Sequence, residues 1–291
     1  MVRSIRFTRD FIASGNGRRI EWVKVGPSNP KGVVFVPPLI GGDASQQVRI
    51  FRGLVRNELQ LVTFSYAGHA GSSGIFSLKE AFRDTGLMLH LAGDLAARSG
   101  ASLMGLAACF SAMPLIHAAA SMGEPLHRLA FINPIAEIST AAVAVSFAAH
   151  YGHVNRDSGG IVGPGRALSS YLDALFPGIE RGRGRFGILD AGKARLFRIL
   201  SELLLHDPLA GLKIARTPVL CLYAREDRIL NIFHRGERDR YEKNWRRLCP
   251  QTIFRSVPGG HYMTSAETRR NVFDSIRKFF IPAGNLQRSS A

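Results

Sequence analysis

Cysteine is scarce in this chain: three in 291 residues, Cys109, Cys221 and Cys249. So few, and an odd number, make no disulfide framework and point to a reducing compartment. Long apolar runs are missing too. No stretch approaches the ~18 uninterrupted apolar residues of a membrane span. Met1 to Ile20 carries Arg3, Arg6, Arg9, Arg18 and Arg19 without an apolar segment, so it reads as neither a secretory signal nor an anchor. A soluble cytoplasmic protein is expected. The nine histidines form no H-E-x-x-H motif or Cys/His cluster, which leaves a metal site without support. Gly182-Arg183-Gly184-Arg185-Phe186-Gly187 matches G-x-G-x-x-G, but it follows Pro177-Gly178 and a charged stretch instead of a strand. It therefore lacks the context of a dinucleotide fingerprint and reads as a flexible basic loop. No cofactor is implied.

Acidic residues are the other scarcity. Asp and Glu number 22 against 38 Lys and Arg, a formal net charge of +16. Such a surface suits an acidic partner, whether nucleic acid, anionic lipid or an acidic carrier protein, or is simply a solvated Arg-rich surface. No zinc finger, RNP-like stretch or lysine tail supports nucleic acid. The basic residues are spread along the chain, with a local excess at Arg181-Gly182-Arg183-Gly184-Arg185.

What is present is an alternation of strand and helix signals with enough apolar residues, 46%, for a large core. Strands are predicted over Ile20 to Val25, Val33 to Val36, Leu61 to Tyr66, the run into Cys109, Leu129 to Ile132, Pro218 to Tyr223 and Thr252 to Phe254. Helices are predicted over Asp43 to Glu58, over Ser77 to Ser99 with a Ser77/Glu80 capping box, after Cys109 to Gly123, and over Ser265 to Phe280. Continuous apolar strands separated by helices imply a parallel sheet covered on both faces. From about Pro134 to Leu212 the strand pattern lapses and helical stretches remain, notably Ala191 to Leu205. We therefore divide the chain into a first core segment (1–133), a helical cap inserted over the site (134–212), a second core segment (213–281) and a flexible tail (282–291).

The densest chemical signal is Ala107-Ala108-Cys109-Phe110-Ser111-Ala112, which follows the apolar run from Ala101 to Leu106. Strand, sharp turn and helix, with small residues two before and two after the central one, are the steric recipe of a nucleophile elbow. The central residue would be a thiol, Cys109. Two other registers compete: one centres on Ala107, which is inert, and the other on Ser111, the rival nucleophile. Met113 is bulky where the Ser111 register wants a small residue, although that register places Pro114 earlier in the helix. The chain order nucleophile, acid, base is completed by Asp227, after the strand ending near Ala224, and by His261 in Gly259-Gly260-His261. Glu226 is the alternative acid. The backbone N–H of Phe110 and that of Leu39 or Ile40 would form an oxyanion hole; Pro37 and Pro38 have no N–H to offer.

With these residues the chain resembles the α/β-hydrolase superfamily. Within it the chain is most similar to the acyl transferases of bacterial luminescence systems, acyl-carrier-protein thioesterases that release a fatty acid. Gly105 to Ala112, Tyr66 to Gly74 with Ser72-Ser73-Gly74, Asp227 and His261 carry the likeness. It spans roughly Val33 to His117 well and Pro218 to Phe280 moderately, and leaves the cap region out. The departure is cysteine where that family has serine. Dienelactone hydrolases and polyhydroxyalkanoate synthases are related families with cysteine there. The resemblance implies an α/β-hydrolase fold and a Cys109-His261-Asp227 triad that takes an acyl group from a thioester on coenzyme A or an acidic acyl-carrier protein. A cysteine-dependent ester or lactone hydrolase, and a non-catalytic binding member of the fold, are the alternatives. The apolar stretch Ala141 to Ala149 suggests an acyl or aromatic pocket.

Overall fold

The computed structural model describes residues 5–39, 42–55, 58–135, 140–175, 201–202, 209–227, 238–261 and 265–282. Eight strands form one sheet in the order β1-β2-β4-β3-β5-β6-β7-β8. β1 (Arg6–Ser14) and β2 (Arg18–Gly26) are an antiparallel hairpin, and β2 runs antiparallel to β4 (Leu59–Phe64). From β4 onward every pairing is parallel: β3 (Gly32–Val36), β5 (Ser102–Ala108), β6 (Arg128–Ile132), β7 (Val219–Ala224) and β8 (Thr252–Val257). β3, β4 and β7 are buried at every residue, the consequence of a parallel sheet with both faces covered.

Alternate strand residues supply the two cores. Val34, Val36, Leu61 and Leu106 meet Phe51 at the end of α1 (Ala44–Phe51) and Val272, Ile276 and Phe280 of α7 (Ala266–Phe280). Val33, Phe35, Val62 and Phe64 point the other way. Their core includes Met88 and Leu89 of α2 (Leu78–Arg98), Leu115 and Ile116 of α3 (Ala112–Ser121), and Trp245 of α6 (Arg238–Leu248). Each such fully buried apolar side chain contributes about 1.5–3 kcal/mol of transfer free energy. Asp43, Ser77 and Ser265 cap α1, α2 and α7 by accepting from the N–H groups of Gln46, Glu80 and Thr268. Only this half of the expected Ser77/Glu80 box is seen, because the Glu80 carboxylate pairs with Arg18 and Arg83.

Two elements were not anticipated. β1 is exposed on both sides along most of its length, so it shows neither an apolar run nor a one-sided alternation. α6 is highly charged, with its burial concentrated at Tyr241 and Trp245. The helix expected from Asp43 to Glu58 ends at Phe51 and tightens into a 3-10 turn, Arg52–Leu54, at Gly53. Between β6 and β7 the described residues form α4 (Thr140–Ser158) and α5 (Pro164–Leu175) and no strand. The helix expected over Ala191 to Leu205 lies outside the described residues except for 201–202, as do the Gly182–Gly187 loop and the tail beyond 282.

Candidate active site

β5 ends at Ala108, and the chain turns sharply at Cys109, whose φ is +52°. A residue with a Cβ in this left-handed region carries a cost of about 1–3 kcal/mol and needs its surroundings to hold it there. The holding groups are visible. Ser111 is fully buried; its hydroxyl donates to the Ala108 carbonyl (2.8 Å) and accepts from the Ala108 N–H (3.1 Å), stapling the turn from behind. On the other side the Cys109 carbonyl accepts from Ile135 N–H at 3.0 Å. Ala107 is fully buried within β5, whereas Cys109 is half-exposed. Of the three candidate registers, Cys109 therefore occupies the strained corner. α3 begins three residues later, with Pro114 in its first turn, where a missing N–H costs least.

Asp227 and His261 come together at the ends of β7 and β8. His261 Nδ1–H donates to Asp227 Oδ2 at 2.7 Å, and the two side chains are 5% and 2% exposed. Glu226 is exposed, so the acid that meets the histidine is Asp227. The loops that carry the pair are zipped together: Arg225 N–H bonds the Val257 carbonyl (2.9 Å) and Glu226 N–H bonds the Gly259 carbonyl (3.2 Å). Gly259 has φ +100°, a conformation that favours glycine. Cys109 lies close enough to the imidazole to act on its titration. With Nδ1 committed to Asp227, Nε2 is the nitrogen left for the sulfur. Burial alone pushes the imidazole pKa down, but the hydrogen bond to Asp227, the neighbouring Cys109 and the charge of the Asp227 carboxylate outweigh it and raise it to about 10. Cys109, His261 and Asp227, read from distant parts of the sequence, thus come together at the carboxyl ends of the strands, with His261 and Asp227 directly bonded.

Sequence reasoning missed Asn133. It sits just past β6, 1% exposed, with φ +44°. Its side-chain Nδ2 donates to the His261 carbonyl (2.8 Å), and its Oδ1 accepts from Ala224 N–H (2.7 Å). One amide thereby ties the base loop to the strand that leads to the acid. Two residues later Ile135 holds the Cys109 carbonyl, and the Tyr241 hydroxyl of α6 donates to the Pro134 carbonyl at 3.0 Å. The signal was Asn133-Pro134 directly after an apolar strand; asparagine tolerates the left-handed region better than most residues.

Phe110 follows the nucleophile position, 4% exposed, with its ring in the core. Leu39 is half-buried after Pro37-Pro38, and its carbonyl accepts from Gly42 N–H at 2.8 Å. Ile40, the alternative to Leu39, lies outside the described residues. Among the described residues no group of His, Cys, Asp and Glu could hold a metal ion, and no helix is long and apolar enough to cross a membrane.

No protein-family model matches the chain, and no curated protein matches it significantly in sequence. Solved structures do. A hydrolase from Pseudomonas aeruginosa superposes with a TM-score of 0.62 at 16% identity, over 95% of this chain and 99% of that one. A soluble variant of monoglyceride lipase from Saccharomyces cerevisiae, in complex with a substrate analog, gives 0.61 at 11% identity over 96% and 95%. A proline iminopeptidase-related protein from Thermus thermophilus gives 0.61 at 18% over 94% and 98%. At these identities the likeness is one of fold: the chain has the α/β-hydrolase fold.

Proposed function

We propose that the protein is a cysteine-dependent acyl-transfer enzyme that accepts an acyl group from a thioester. The observation that carries the reading is Cys109 at a left-handed corner, close to an imidazole that Asp227 holds at 2.7 Å. In the proposed cycle the Cys109 sulfur, its proton passed to His261 Nε2, attacks the thioester carbonyl carbon. A new C–S bond forms, and the carbonyl oxygen becomes an oxyanion facing the N–H groups of Phe110 and Leu39. Collapse breaks the original C–S bond, and the departing thiolate takes the proton from His261. The acceptor, water or an alcohol, amine or thiol, then loses its proton to His261 as it attacks the acyl-cysteine. Cys109 leaves, and the first state is restored. Asp227 fixes the tautomer and balances the imidazolium throughout.

A thioester donor suits a thiol nucleophile because the acyl group moves between two bonds of the same kind, close to thermoneutral. The net charge of +16 suits a donor carried on an acidic protein or on coenzyme A. Hydrolysis of an oxygen ester or lactone is the second reading, favoured by the structural likeness to a monoglyceride lipase. Turnover of acyl-coenzyme A and acyl-carrier thioesters beside p-nitrophenyl esters of the same acyl chains separates the two. The first reading expects a higher kcat/KM for the thioesters, lost as ionic strength rises. A higher value for the oxygen esters selects the second.

A further inference from the structure

β1 is the outermost strand on its side of the sheet, and among the described residues nothing pairs with its free edge. A nine-residue open edge is a template for another strand, and soluble proteins ordinarily blunt one with prolines, bulges or inward charges. β1 has no proline. Of its two exposed faces, one carries Ile5, Phe7 and Phe11, which are 62%, 60% and 41% exposed. Arg9 lies between the two phenylalanines, its charge already met by Glu21 at 3.0 Å. On the opposite face stand Arg6 and Asp10, both exposed, and neither has an ion-pair partner among the described residues. The Asp10 carboxylate instead accepts from the N–H of its neighbour Phe11 at 2.8 Å.

We propose that this edge pairs with β1 of a second copy of the chain, antiparallel, about a two-fold axis at Thr8. The sequence is self-complementary about that residue. Arg6 falls opposite the partner's Asp10, and Asp10 opposite the partner's Arg6, giving two symmetric ion pairs on one face. Ile5 falls opposite the partner's Phe11 on the other face, and Phe7 opposite the partner's Arg9. Moving the axis one residue, to Arg9, sets Asp10 against Thr8 and Arg6 against Ile12 and loses both ion pairs. The second copy is the occupant because the charge pattern matches its own reversal, which is the requirement of an isologous interface. In the joined edge Phe11 N–H gains a carbonyl of the partner strand, and Asp10 is released to the partner's Arg6. The result is one continuous sheet spanning both copies. A seam of this length is small against the ~1,200–2,000 Å² of stable complexes, so the dimer is a reversible one, formed in the micromolar range.

Sedimentation velocity of the full chain over a micromolar concentration series tests this, with Arg6→Asp, Asp10→Arg and the double variant beside wild type. Wild type is expected to pass from monomer to dimer. Each single reversal sets like charges opposite each other at two symmetric positions and is expected to weaken dimerisation roughly 10-fold or more. The double variant restores opposite signs and is expected to dimerise again. Circular dichroism melts check that all four chains are folded. A wild type that stays monomeric throughout, a dimer indifferent to both single reversals, or a folded double variant that stays monomeric overturns the proposal.

Discussion

The carboxyl ends of β5, β6 and β7 and the α4–α5 segment are held in different ways. At the strand ends, polar bonds cross from one element to the next: Ser111 to Ala108, Ile135 to Cys109, Asn133 to both His261 and Ala224, and Glu226 to Gly259. α4 and α5 bond largely within their own segment. His150 meets Ser170 at 3.0 Å, Asn155 bonds the Tyr151 carbonyl, and its Oδ1 accepts from Val162 N–H. Val143, Phe147 and Tyr171 carry them into the apolar core. The region with candidate chemistry is thus fixed by directional bonds to a sheet, while the described helices meet the core through apolar side chains. Reacting groups need placement to a fraction of an ångström, and directional bonds supply it.

The comparison breaks most sharply at His261. His261→Ala is expected to lower kcat by roughly 10²–10⁴-fold, the range for loss of a positioned acid–base. The same residue links the site to stability. Its folded pKa, about 10, lies above the ordinary value of 6.5. Below pH 6.5 both folded and unfolded chains hold the proton, and the contribution is complete. Between 6.5 and about 10 the unfolded chain binds fewer protons, so stability falls as pH rises and the contribution is lost through the folded pKa. Urea melts of wild type against His261→Gln should converge over that window; parallel curves would show that the imidazole is not held by its partners.

Asn133 comes next. Asn133→Ala leaves the Ala224 N–H and the His261 carbonyl unpaired and keeps a Cβ at φ +44°. A loss of about 2–6 kcal/mol is expected, from about 1–3 kcal/mol for each buried group that loses its bond. Asn133→Gly relieves the backbone cost without restoring the bonds, and should recover about 1 kcal/mol. In both variants kcat should fall with KM little changed, because Asn133 places the base and touches no substrate. A change confined to KM would contradict that role. Ser111→Ala is smaller again: about 1 kcal/mol from the staple, with turnover retained within a few-fold. Abolished turnover would make Ser111 the nucleophile instead. Smallest is Val145→Ser on the exposed face of α4, expected to stay within about 0.5 kcal/mol of wild type. A large destabilisation there would mean that α4 is held as tightly as the strand ends.

The same division explains what could be read from the sequence. Buried parallel strands announce themselves as apolar runs, so β3 to β7 were legible, with β4 displaced by about two residues. Cys109, Asp227 and His261 stood out as candidates because each follows a predicted strand, and strand ends are where this architecture gathers its groups. β1 escaped because an exposed edge has no core to pattern it. Asn133 escaped because its work is a side-chain bond to two remote backbone groups, and the adjoining Pro134 marks a turn without naming either of them. Ala141 to Ala149 read as one apolar stretch, yet Val143 and Phe147 pack inward while Ala141, Ala144, Val145, Ala148 and Ala149 are exposed. Composition did not distinguish the two faces.

The central claim is that Cys109 takes up an acyl group. Intact-protein mass spectrometry after brief incubation with acyl-coenzyme A and acyl-carrier thioesters tests it directly, with Cys109→Ala and Ser111→Ala beside wild type. The account predicts one added acyl mass on wild type and on Ser111→Ala, and none on Cys109→Ala. An adduct that survives in Cys109→Ala and vanishes in Ser111→Ala would contradict it.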